Sequence, residues 1–227
     1  MKPEDLKSPF PWAERKILIK DQVWYVPKDC IPSSPFSFNG WEHSEFFGNQ
    51  NPVFLEYCSG NGAWIADKAR SNPQVNWVAL EMLFERVRKI WAKGKNHSLN
   101  NLFAICGEAL ATTKAYFPNC CVAEAYVNFP DPWPKRRHAK FRLIQGPFVR
   151  EVHRILQQDG VFTLVTDDIT YSNQMIDVIL KEGGFKSLYP EPYYSNVWEG
   201  YGSSYFDDLW REKGREIRYH RFVKVES

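Results

Sequence analysis

From residue 52 to residue 184 the sequence alternates strand-like apolar runs with helical segments, and this alternation limits the fold more than any other feature. The predicted strands are Val53–Tyr57, Val75–Leu80, Leu102–Cys106, Val122–Val127 and Val161–Thr166. The predicted helices that follow them are Ala63–Arg70, Leu83–Lys93, Leu110–Tyr116, Pro147–Gln157 and Ile169–Lys181. Glycines that should end helices stand at Gly94, Gly160 and Gly183-Gly184. This order favours right-handed βαβ units and a parallel sheet with helices on both faces.

The pattern changes on both sides of this alternating region. Two further strands, Phe185–Tyr189 and Ile217–Val225, are joined by a long loop and are predicted to be antiparallel. Residues 1–50 contain six prolines with aromatic residues between them and little periodicity. We therefore predict an irregular N-terminal arm over 1–50. Over 51–227 we predict a doubly wound, Rossmann-like α/β domain whose sheet is mostly parallel with an antiparallel C-terminal strand.

The composition indicates a cytoplasmic protein that needs neither a membrane nor a metal. The net charge is only +2, so any affinity for nucleic acid must come from uneven placement of the 29 basic side chains. The sequence shows no signal peptide and no apolar span long enough to cross a bilayer. Five cysteines without a C-x-x-C pair indicate buried free thiols in a reducing compartment. No His, Cys or Asp spacing suggests a metal site.

An acidic residue stands at or just beyond the end of each predicted parallel strand. These residues are Glu56, Glu81, Glu108, Asp131 and Asp167. In an open α/β sheet, ligands bind beyond the carboxyl ends of the strands. We therefore expect most of these carboxylates to line one cleft.

The first acid opens the turn Glu56-Tyr-Cys-Ser-Gly60-Asn-Gly62, which leads into a predicted helix. Gly60 and Gly62 allow tight backbone geometry and close approach of a ligand. A dinucleotide would set its pyrophosphate against this turn, where Glu56 would repel it. Glu81 lies nineteen residues beyond Gly62, the offset at which an acid accepts hydrogen bonds from ribose hydroxyls. S-adenosylmethionine, which carries a sulfonium and an ammonium, meets both requirements, whereas NAD meets only the second.

A proline-rich loop with a single carboxylate follows the fourth predicted strand. Its three prolines, at 130, 132 and 134, fix φ and disfavour helix for the preceding residues. The loop that carries Asp131 is therefore expected to be extended and stiff, and Trp133 within it could either stack on a splayed-out base or pack. The densest basic run in the chain follows at once. We interpret it as a phosphate-binding surface of Lys135, Arg136, Arg137, Lys140 and Arg142.

One long motif resembles the signature of the bacterial tRNA (guanine-N7-)-methyltransferases, which have the class I methyltransferase fold. The motif is Asn128-Phe-Pro-Asp-Pro-Trp-Pro-Lys135, followed by Arg136, Arg137, His138 and Lys140. Further matches are Glu56…Gly60-Asn-Gly62, Ala79-Leu-Glu81, Cys106-Gly-Glu108-Ala and Thr166-Asp167. The resemblance spans roughly residues 50–225. It implies methyl transfer from S-adenosylmethionine, with S-adenosylhomocysteine as product, to N7 of a guanosine in tRNA, at position 46 of the variable loop.

The resemblance also implies roles for individual residues. Cofactor contacts are implied for Glu56, Gly60, Gly62, Glu81, Glu108 and Asp131. Substrate contacts are implied for Lys135, Asp167 and Ser204-Tyr205-Phe206-Asp207, the best match to a Thr-Lys-Phe-Glu segment of the family. Three residues depart from the family pattern: Cys58 stands for the first glycine of the turn, Glu108 for an aspartate and Tyr205 for a lysine, whose charge tyrosine cannot supply.

The chemistry at N7 of guanine indicates what the site must do. This nitrogen has an in-plane lone pair and no proton, so its methylation needs no general base. The product ring is cationic, and a carboxylate against the Watson–Crick edge would both position the base and stabilise the growing charge. Asp131 is the predicted catalytic carboxylate, with Asp167 as a second acid.

Two alternatives stay open from the sequence alone. One is methylation of an exocyclic amino group of adenine or cytosine, although such enzymes usually carry Asn/Asp-Pro-Pro-aromatic where this chain has Asn128-Phe-Pro-Asp131. The other is a non-catalytic RNA-binding protein on a methyltransferase scaffold, against which the intact row of acids argues. Arg215 and Arg218 are additional candidates for RNA contacts. The sequence does not indicate whether the protein is a monomer or a homodimer.

Overall fold

A computed structural model describes residues 1–11, 14–28, 36–202 and 204–226, without the side chain of Arg136. The strands in these ranges are β1 (Leu18–Lys20), β2 (Val23–Val26), β3 (Val53–Tyr57), β4 (Asn76–Glu81), β5 (Leu102–Gly107), β6 (Val122–Asn128), β7 (Leu156–Thr166), β8 (Phe185–Ser187) and β9 (Arg218–Lys224). The α-helices in the same ranges are α1 (Ala63–Ser71), α2 (Phe84–Asn96), α3 (Ala109–Tyr116), α4 (Gly146–Ile155), α5 (Ile169–Glu182) and α6 (Tyr205–Glu212).

The strands form one mixed sheet in the order β1-β2-β5-β4-β3-β6-β7-β9-β8. Every pairing from β2 through β7 in this order is parallel. β9 pairs antiparallel with β7, and β8 pairs antiparallel with β9. The prediction of a mostly parallel sheet with an antiparallel C-terminal strand is therefore confirmed.

Helices cover both faces of the sheet and divide the core into two layers. Ile65 of α1 packs in one layer, and Met175 of α5 packs in the other. Within β3, Leu55 belongs to the α5 layer while its neighbour Phe54 packs against the α1 layer, as expected for side chains that alternate across a sheet. None of the helices in the described ranges has the length and apolarity needed to cross a bilayer.

Two glycines that were expected to end helices do not. The predicted helix over 147–157 ends two residues early, and β7 follows it directly and contains Gly160. The pairing of β6 with β7 changes register near its start, and a Cβ on Gly160 would lie 2.9 Å from the carbonyl oxygen of Ala123. Gly160 therefore allows a close backbone approach at a strand irregularity. Similarly, α2 continues two residues beyond Gly94 and packs against β5.

The N-terminal arm is not irregular throughout, and in this respect the prediction for residues 1–50 is wrong. β2 is buried along its whole length and pairs in parallel with β5, from Val23 opposite Ala104 to Val26 opposite Gly107. β1 pairs antiparallel with β2 at the edge of the sheet. The arm contributes these strands because β5 would otherwise expose a row of unpaired backbone groups.

Gly62 forms the turn between β3 and α1. It is the N-cap of α1, and its φ of 71° lies in the left-handed region. A Cβ at this position would lie 2.6 Å from Cγ1 of Ile90 in α2. The turn therefore needs glycine both for its backbone conformation and for the contact between the two helices.

Replacing Gly62 with alanine is expected to lower the free energy of unfolding by about 1 to 3 kcal/mol, because strained backbone and a steric contact act together. Gly214→Ala is the matched control, since Gly214 also has a positive φ, of 70°, but a Cβ there meets nothing within 4 Å. Urea unfolding followed by circular dichroism measures both changes. Equal losses in the two variants would mean that the contact with Ile90 contributes nothing.

Candidate active site

The carboxyl ends of β3 to β7 meet at one edge of the sheet, and the predicted acids stand at these ends. Glu56 lies in β3, Glu81 ends β4, Glu108 follows β5, Asp131 lies three residues beyond β6, and Asp167 follows β7. The parallel pairing thus places all five along one edge. Within the described residues, no group of three or more His, Cys, Asp or Glu side chains could hold a metal ion.

Glu56 is a buried carboxylate with one unsatisfied oxygen. Its Oε1 accepts a hydrogen bond from Asn128 Nδ2 at 2.7 Å, whereas Oε2 is buried without a partner among the described residues. Desolvation raises the pKa of Glu56 to about 7, against the opposing hydrogen bond from Asn128 and with a smaller addition from the charge of Glu81. A cationic hydrogen-bond donor would satisfy the remaining oxygen and favour the ionised form.

Glu81 holds the glycine turn in place. It is buried, and its two oxygens accept hydrogen bonds from the N–H groups of Gly60 and Leu83, each at 3.0 Å. A Cβ on Gly60, whose φ is 55°, would meet no atom closer than 3.9 Å, so the turn leaves space for a ligand. A carboxylate has about four acceptor sites, and capacity therefore remains for the ribose hydroxyls predicted at Glu81.

Cys58 lies where three of the carboxylates converge. Its φ of 57° puts a non-glycine residue in the left-handed region, so the turn carries a side chain where glycine is favoured. Desolvation by the surrounding protein raises the pKa of the Cys58 thiol to about 12, and the charges of Glu81, Glu56 and Asp131 add to this effect. The residue is nevertheless exposed to solvent. The turn that carries Cys58 is therefore accessible from solvent, although Glu56 and Glu81 next to it are buried.

The cysteines are less buried than predicted. The four described cysteines are free; Cys106 and Cys121 are half-buried, whereas Cys58 and Cys120 are exposed. The prediction of buried thiols is therefore wrong for the latter two, which lie in turns with positive φ. Cys30 lies outside the described residues.

Glu108 caps α3, a role that was not predicted. As the N-cap residue, it accepts hydrogen bonds from the N–H groups of Leu110 at 3.2 Å and Ala111 at 2.6 Å. These bonds satisfy two of the otherwise unpaired donors at the helix start. The carboxylate thus has a structural function at the site edge, and its cofactor contact stays a prediction.

The signature loop, residues 128–135, is anchored on both sides of its carboxylate. The N–H of Phe129 donates to the carbonyl oxygen of Val165 in β7 at 2.8 Å. The carbonyl oxygen of Pro132 accepts a hydrogen bond from Arg142 Nε at 2.6 Å. Asp131 lies between these anchors and is exposed, so its carboxylate is accessible to a substrate.

Arg142 does not lie where a phosphate contact requires, which corrects the sequence prediction. Its side chain is only 7% exposed, stands 4.9 Å from the centre of the Tyr171 ring and hydrogen-bonds Gln174 of α5. Arg142 thus connects the signature loop to α5 from within the protein, because it donates hydrogen bonds to the carbonyl oxygen of Pro132 and to Gln174. Arg218, another candidate for RNA contact, is likewise buried, 4.7 Å from the ring of Tyr194.

The remaining cations form an exposed surface, the basic rim, which consists of Lys135, Arg137 and Lys140. These residues lie in or next to a short 3-10 helix, Arg136–Phe141, directly after the signature loop. The side chain of Arg136 lies outside the described part of the structure. The basic rim is accessible to solvent, and its contact with phosphates stays a prediction.

The long loop before β9 contains α6, which was not predicted. Ser204 caps this helix by accepting a hydrogen bond from the N–H of Asp207 at 3.1 Å. Asp207 is buried and forms an ion pair with Arg211 at 2.8 Å. Tyr205 and Phe206 are exposed. A serine followed three residues later by an acid is a helix-start signal that could have revealed α6.

The start of α6 lies beside the signature loop. The ring of Phe206 is 5.9 Å from that of Phe129. The fold therefore brings the segment Ser204–Asp207 to the loop that carries Asp131, although more than seventy residues separate them in the sequence. Within this segment, Tyr205 and Phe206 present open surface, whereas Ser204 and Asp207 are engaged within the protein.

Asp167 forms an ion pair with Arg215 that was not predicted. The Arg215 guanidinium also stacks on Trp210, 4.1 Å from the ring centre. Arg215 is about half exposed, whereas the carboxylate of Asp167 is mostly covered. Asp167, the carboxylate predicted to contact the substrate, is therefore paired with a long and partly exposed arginine side chain at the surface of the site.

Replacing Glu56 with glutamine is expected to stabilise the unliganded protein at pH 8 by about 1 to 3 kcal/mol, because it removes a buried charge. The folded-state pKa is raised above the unfolded value of 4.5 to about 7. The folded wild type therefore binds more protons between these values, and its free energy of unfolding falls as pH rises from about 4.5 to about 7. Chemical unfolding at pH 5 and pH 8 measures this difference.

The same variant is expected to lose affinity for S-adenosylhomocysteine, measured by calorimetry, because the buried carboxylate is the predicted partner of a cationic group. Glu151→Gln serves as the control, since Glu151 pairs with Arg154 within α4 and does not belong to the acid row, the five carboxylates at the ends of β3 to β7. A Glu56→Gln variant that keeps wild-type affinity would exclude Glu56 from cofactor binding.

Comparison with known proteins agrees with this geometry. A family model described as a putative methyltransferase matches residues 50–219. A tRNA (guanine-N(7)-)-methyltransferase of Chlamydia abortus is 47% identical over 99% of this chain and 98% of the relative, and one of Rubrobacter xylanophilus is 32% identical over 82% of each. The crystal structure of the 16S rRNA methyltransferase KamB shares the fold, with a TM-score of 0.57 and 18% identity over 79% of this chain and 91% of that one. The chain belongs to the tRNA (guanine-N(7)-)-methyltransferase family.

Proposed function

We propose that this protein transfers a methyl group from S-adenosylmethionine to N7 of a guanosine in tRNA, forming 7-methylguanosine and S-adenosylhomocysteine. The observation that carries the proposal is the alignment of Glu56, Glu81 and Asp131 at one edge of the sheet, with Glu56 hydrogen-bonded to Asn128 at the start of the signature loop. In a chain of this family, the arrangement offers a negatively charged site for a cationic methyl donor next to a carboxylate that a base can reach.

Glu56 provides the strongest support for the cofactor. Its buried, unsatisfied oxygen fits a cationic hydrogen-bond donor, which the ammonium of S-adenosylmethionine provides, and the sulfonium adds positive charge without donating a hydrogen bond. When bound, this cofactor supplies a methyl carbon activated by the sulfonium. Glu81 would accept from the ribose hydroxyls while it holds the turn of Gly60 and Gly62, and Glu108 would contribute from the end of β5. An intact set of acids argues against a non-catalytic scaffold.

Asp131 is the proposed catalytic carboxylate. In the proposed reaction the in-plane lone pair of N7 would form the new bond to the methyl carbon, and sulfur would keep the electron pair of the bond that breaks. Positive charge thereby moves onto the purine ring. Asp131 would accept hydrogen bonds from N1–H and the exocyclic amino group, which orients the base and stabilises that charge. The anchors at Phe129 and Pro132 keep the carboxylate in place.

Asp167 is proposed as a second acid at the acceptor base. Its ion pair with Arg215 neutralises it before RNA arrives. Because Arg215 is long and about half exposed, it can exchange Asp167 for an RNA phosphate without a change in the fold. The carboxylate then becomes available to the cationic product ring.

The tRNA is proposed to cover the basic rim and the start of α6. Lys135 would contact the acceptor region, with Tyr205 and Phe206 beside the start of the signature loop. Ser204 and Asp207 would act by shaping this helix start, since their side chains bind within the protein. By resemblance to the family we assign the acceptor to position 46 of the variable loop, and we place the reaction in the cytoplasm.

Asp131→Asn is expected to reduce kcat for tRNA methylation by about 100-fold or more, because the amide cannot offer a full negative charge to the developing cation. Affinity for tRNA should change less than about threefold. The matched control is Asp177→Asn, an exposed aspartate in the middle of α5. The rate of 7-methylguanosine formation at saturating tRNA is the measurement. Retention of more than about a tenth of wild-type turnover would remove Asp131 from the central role.

The double variant Lys135→Ala, Arg137→Ala is expected to weaken tRNA binding and to flatten its dependence on salt. Loss of two phosphate contacts should reduce the slope of log Kd against log salt concentration by about 1.4 to 1.8. Lys181→Ala, Lys186→Ala is the control, since these exposed lysines lie at the end of α5 and in β8, away from the acid row. An unchanged slope in the first variant would contradict phosphate contact at the basic rim.

A further inference from the structure

Three aromatic side chains form a cluster at the surface directly after the proposed catalytic carboxylate, here named the aromatic platform: Trp133 and Phe141, which are exposed, and His138, which is half-buried. The ring of Trp133 lies 5.4 Å from that of Phe141 and 5.7 Å from that of His138, and His138 lies 6.0 Å from Phe141. Trp133 is 38% exposed and Phe141 is 56% exposed. Among the tryptophans that the structure describes, Trp133 is the only exposed one.

The fold keeps Trp133 at the surface in a strained conformation. Its φ of 43° lies in the left-handed region, where a bulky residue costs roughly 1 to 3 kcal/mol. The carbonyl oxygen of the preceding Pro132 is held by the buried Arg142. The indole is therefore presented outward by a fixed backbone, although burial in the core would have gained hydrophobic free energy.

The surroundings of the platform are cationic. From Phe129 to Arg150 the sequence contains one acid, Asp131, whereas the basic rim lies on this segment. Lys140 Nζ stands 5.2 Å from the centre of the Phe141 ring. The rings are inclined to one another by 50° to 88°, so each offers its own face rather than one common plane. An exposed aromatic ring face beside lysine and arginine residues is complementary to a polymer that combines aromatic bases with phosphates.

We propose that the aromatic platform stacks an unpaired tRNA base that neighbours the acceptor guanosine. The proposal rests on the proposed function, which provides the RNA, and goes beyond it by assigning a second base-binding site. Trp133 is two residues from Asp131, so their Cα atoms are at most about 7 Å apart. The stacked base must therefore be close to the acceptor along the RNA. Stacking it would hold the strand open while the acceptor faces Asp131.

Trp133→Ala and Phe141→Ala are each expected to raise Kd and KM for a full-length tRNA transcript by about 5- to 100-fold, the range typical of a lost base–aromatic stack. The salt slope should stay at the wild-type value because no phosphate contact is removed. Trp133→Phe should retain most of the affinity. Leu180→Ala, which removes an exposed apolar side chain from α5, is the matched control. Thermal unfolding midpoints identify any variant that fails to fold. If Trp133→Ala does not fold, the affinity of Phe141→Ala tests the proposal.

Abasic tRNAs locate the stacked base. Removing the base on either side of the acceptor should weaken binding of the wild type. At one of these two sites, the loss of affinity from the abasic tRNA and the loss from Trp133→Ala should not be additive. Additive losses at both sites, or Kd values within twofold of wild type in both alanine variants, would overturn the platform. The proposal would also be overturned if the alanine variants changed only self-association in sedimentation experiments, because the platform would then be a contact between copies of the chain. Failure of the wild type to methylate intact tRNA would instead overturn the proposed function.

Discussion

The hydrogen bond between Glu56 and Asn128 connects the two parts of the active site. It joins β3, which carries the carboxylate proposed for the cofactor, to the first residue of the loop that carries Asp131. Both side chains are buried, and in the described part of the chain Glu56 Oε2 and Asn128 Oδ1 have no partner. A cation bound next to Glu56 would favour its ionised form, and the same carboxylate holds Asn128 at the start of the loop. In the proposed function, this contact therefore couples the cofactor site to the loop that carries Asp131, beside the anchors at Phe129 and Pro132.

The site contains several features that lower stability. Glu56 is a carboxylate in a poorly solvated position, and Cys58, Phe129 and Trp133 all have φ values between 43° and 57°. Such backbone conformations persist only where the surroundings determine them, at roughly 1 to 3 kcal/mol each. Here the surroundings are the two core layers and the buried guanidinium of Arg142, which hold the loop from within the protein.

The parts that the sequence predicts well are local. Hydrophobic runs define β3 to β6 and the second half of β7, and parallel pairing then aligns their acids without further information. Arg142 and Arg215 could not be assigned in the same way. Their partners Gln174 and Asp167 lie 32 and 48 residues away, and only the folded chain shows that one arginine is buried and the other paired. The strand β2 was missed because four apolar residues do not reveal a distant partner strand.

The pairing of β2 with β5 has a consequence for biosynthesis. Val23 pairs with Ala104, so a segment made early in translation must wait for one made some eighty residues later. At about 5 to 20 residues per second, this delay lasts roughly 4 to 16 seconds, during which β2 has no parallel neighbour on the nascent chain. Its four apolar residues therefore lack their parallel partner until β5 has been made, and this sheet edge depends on a contact between segments far apart in the sequence.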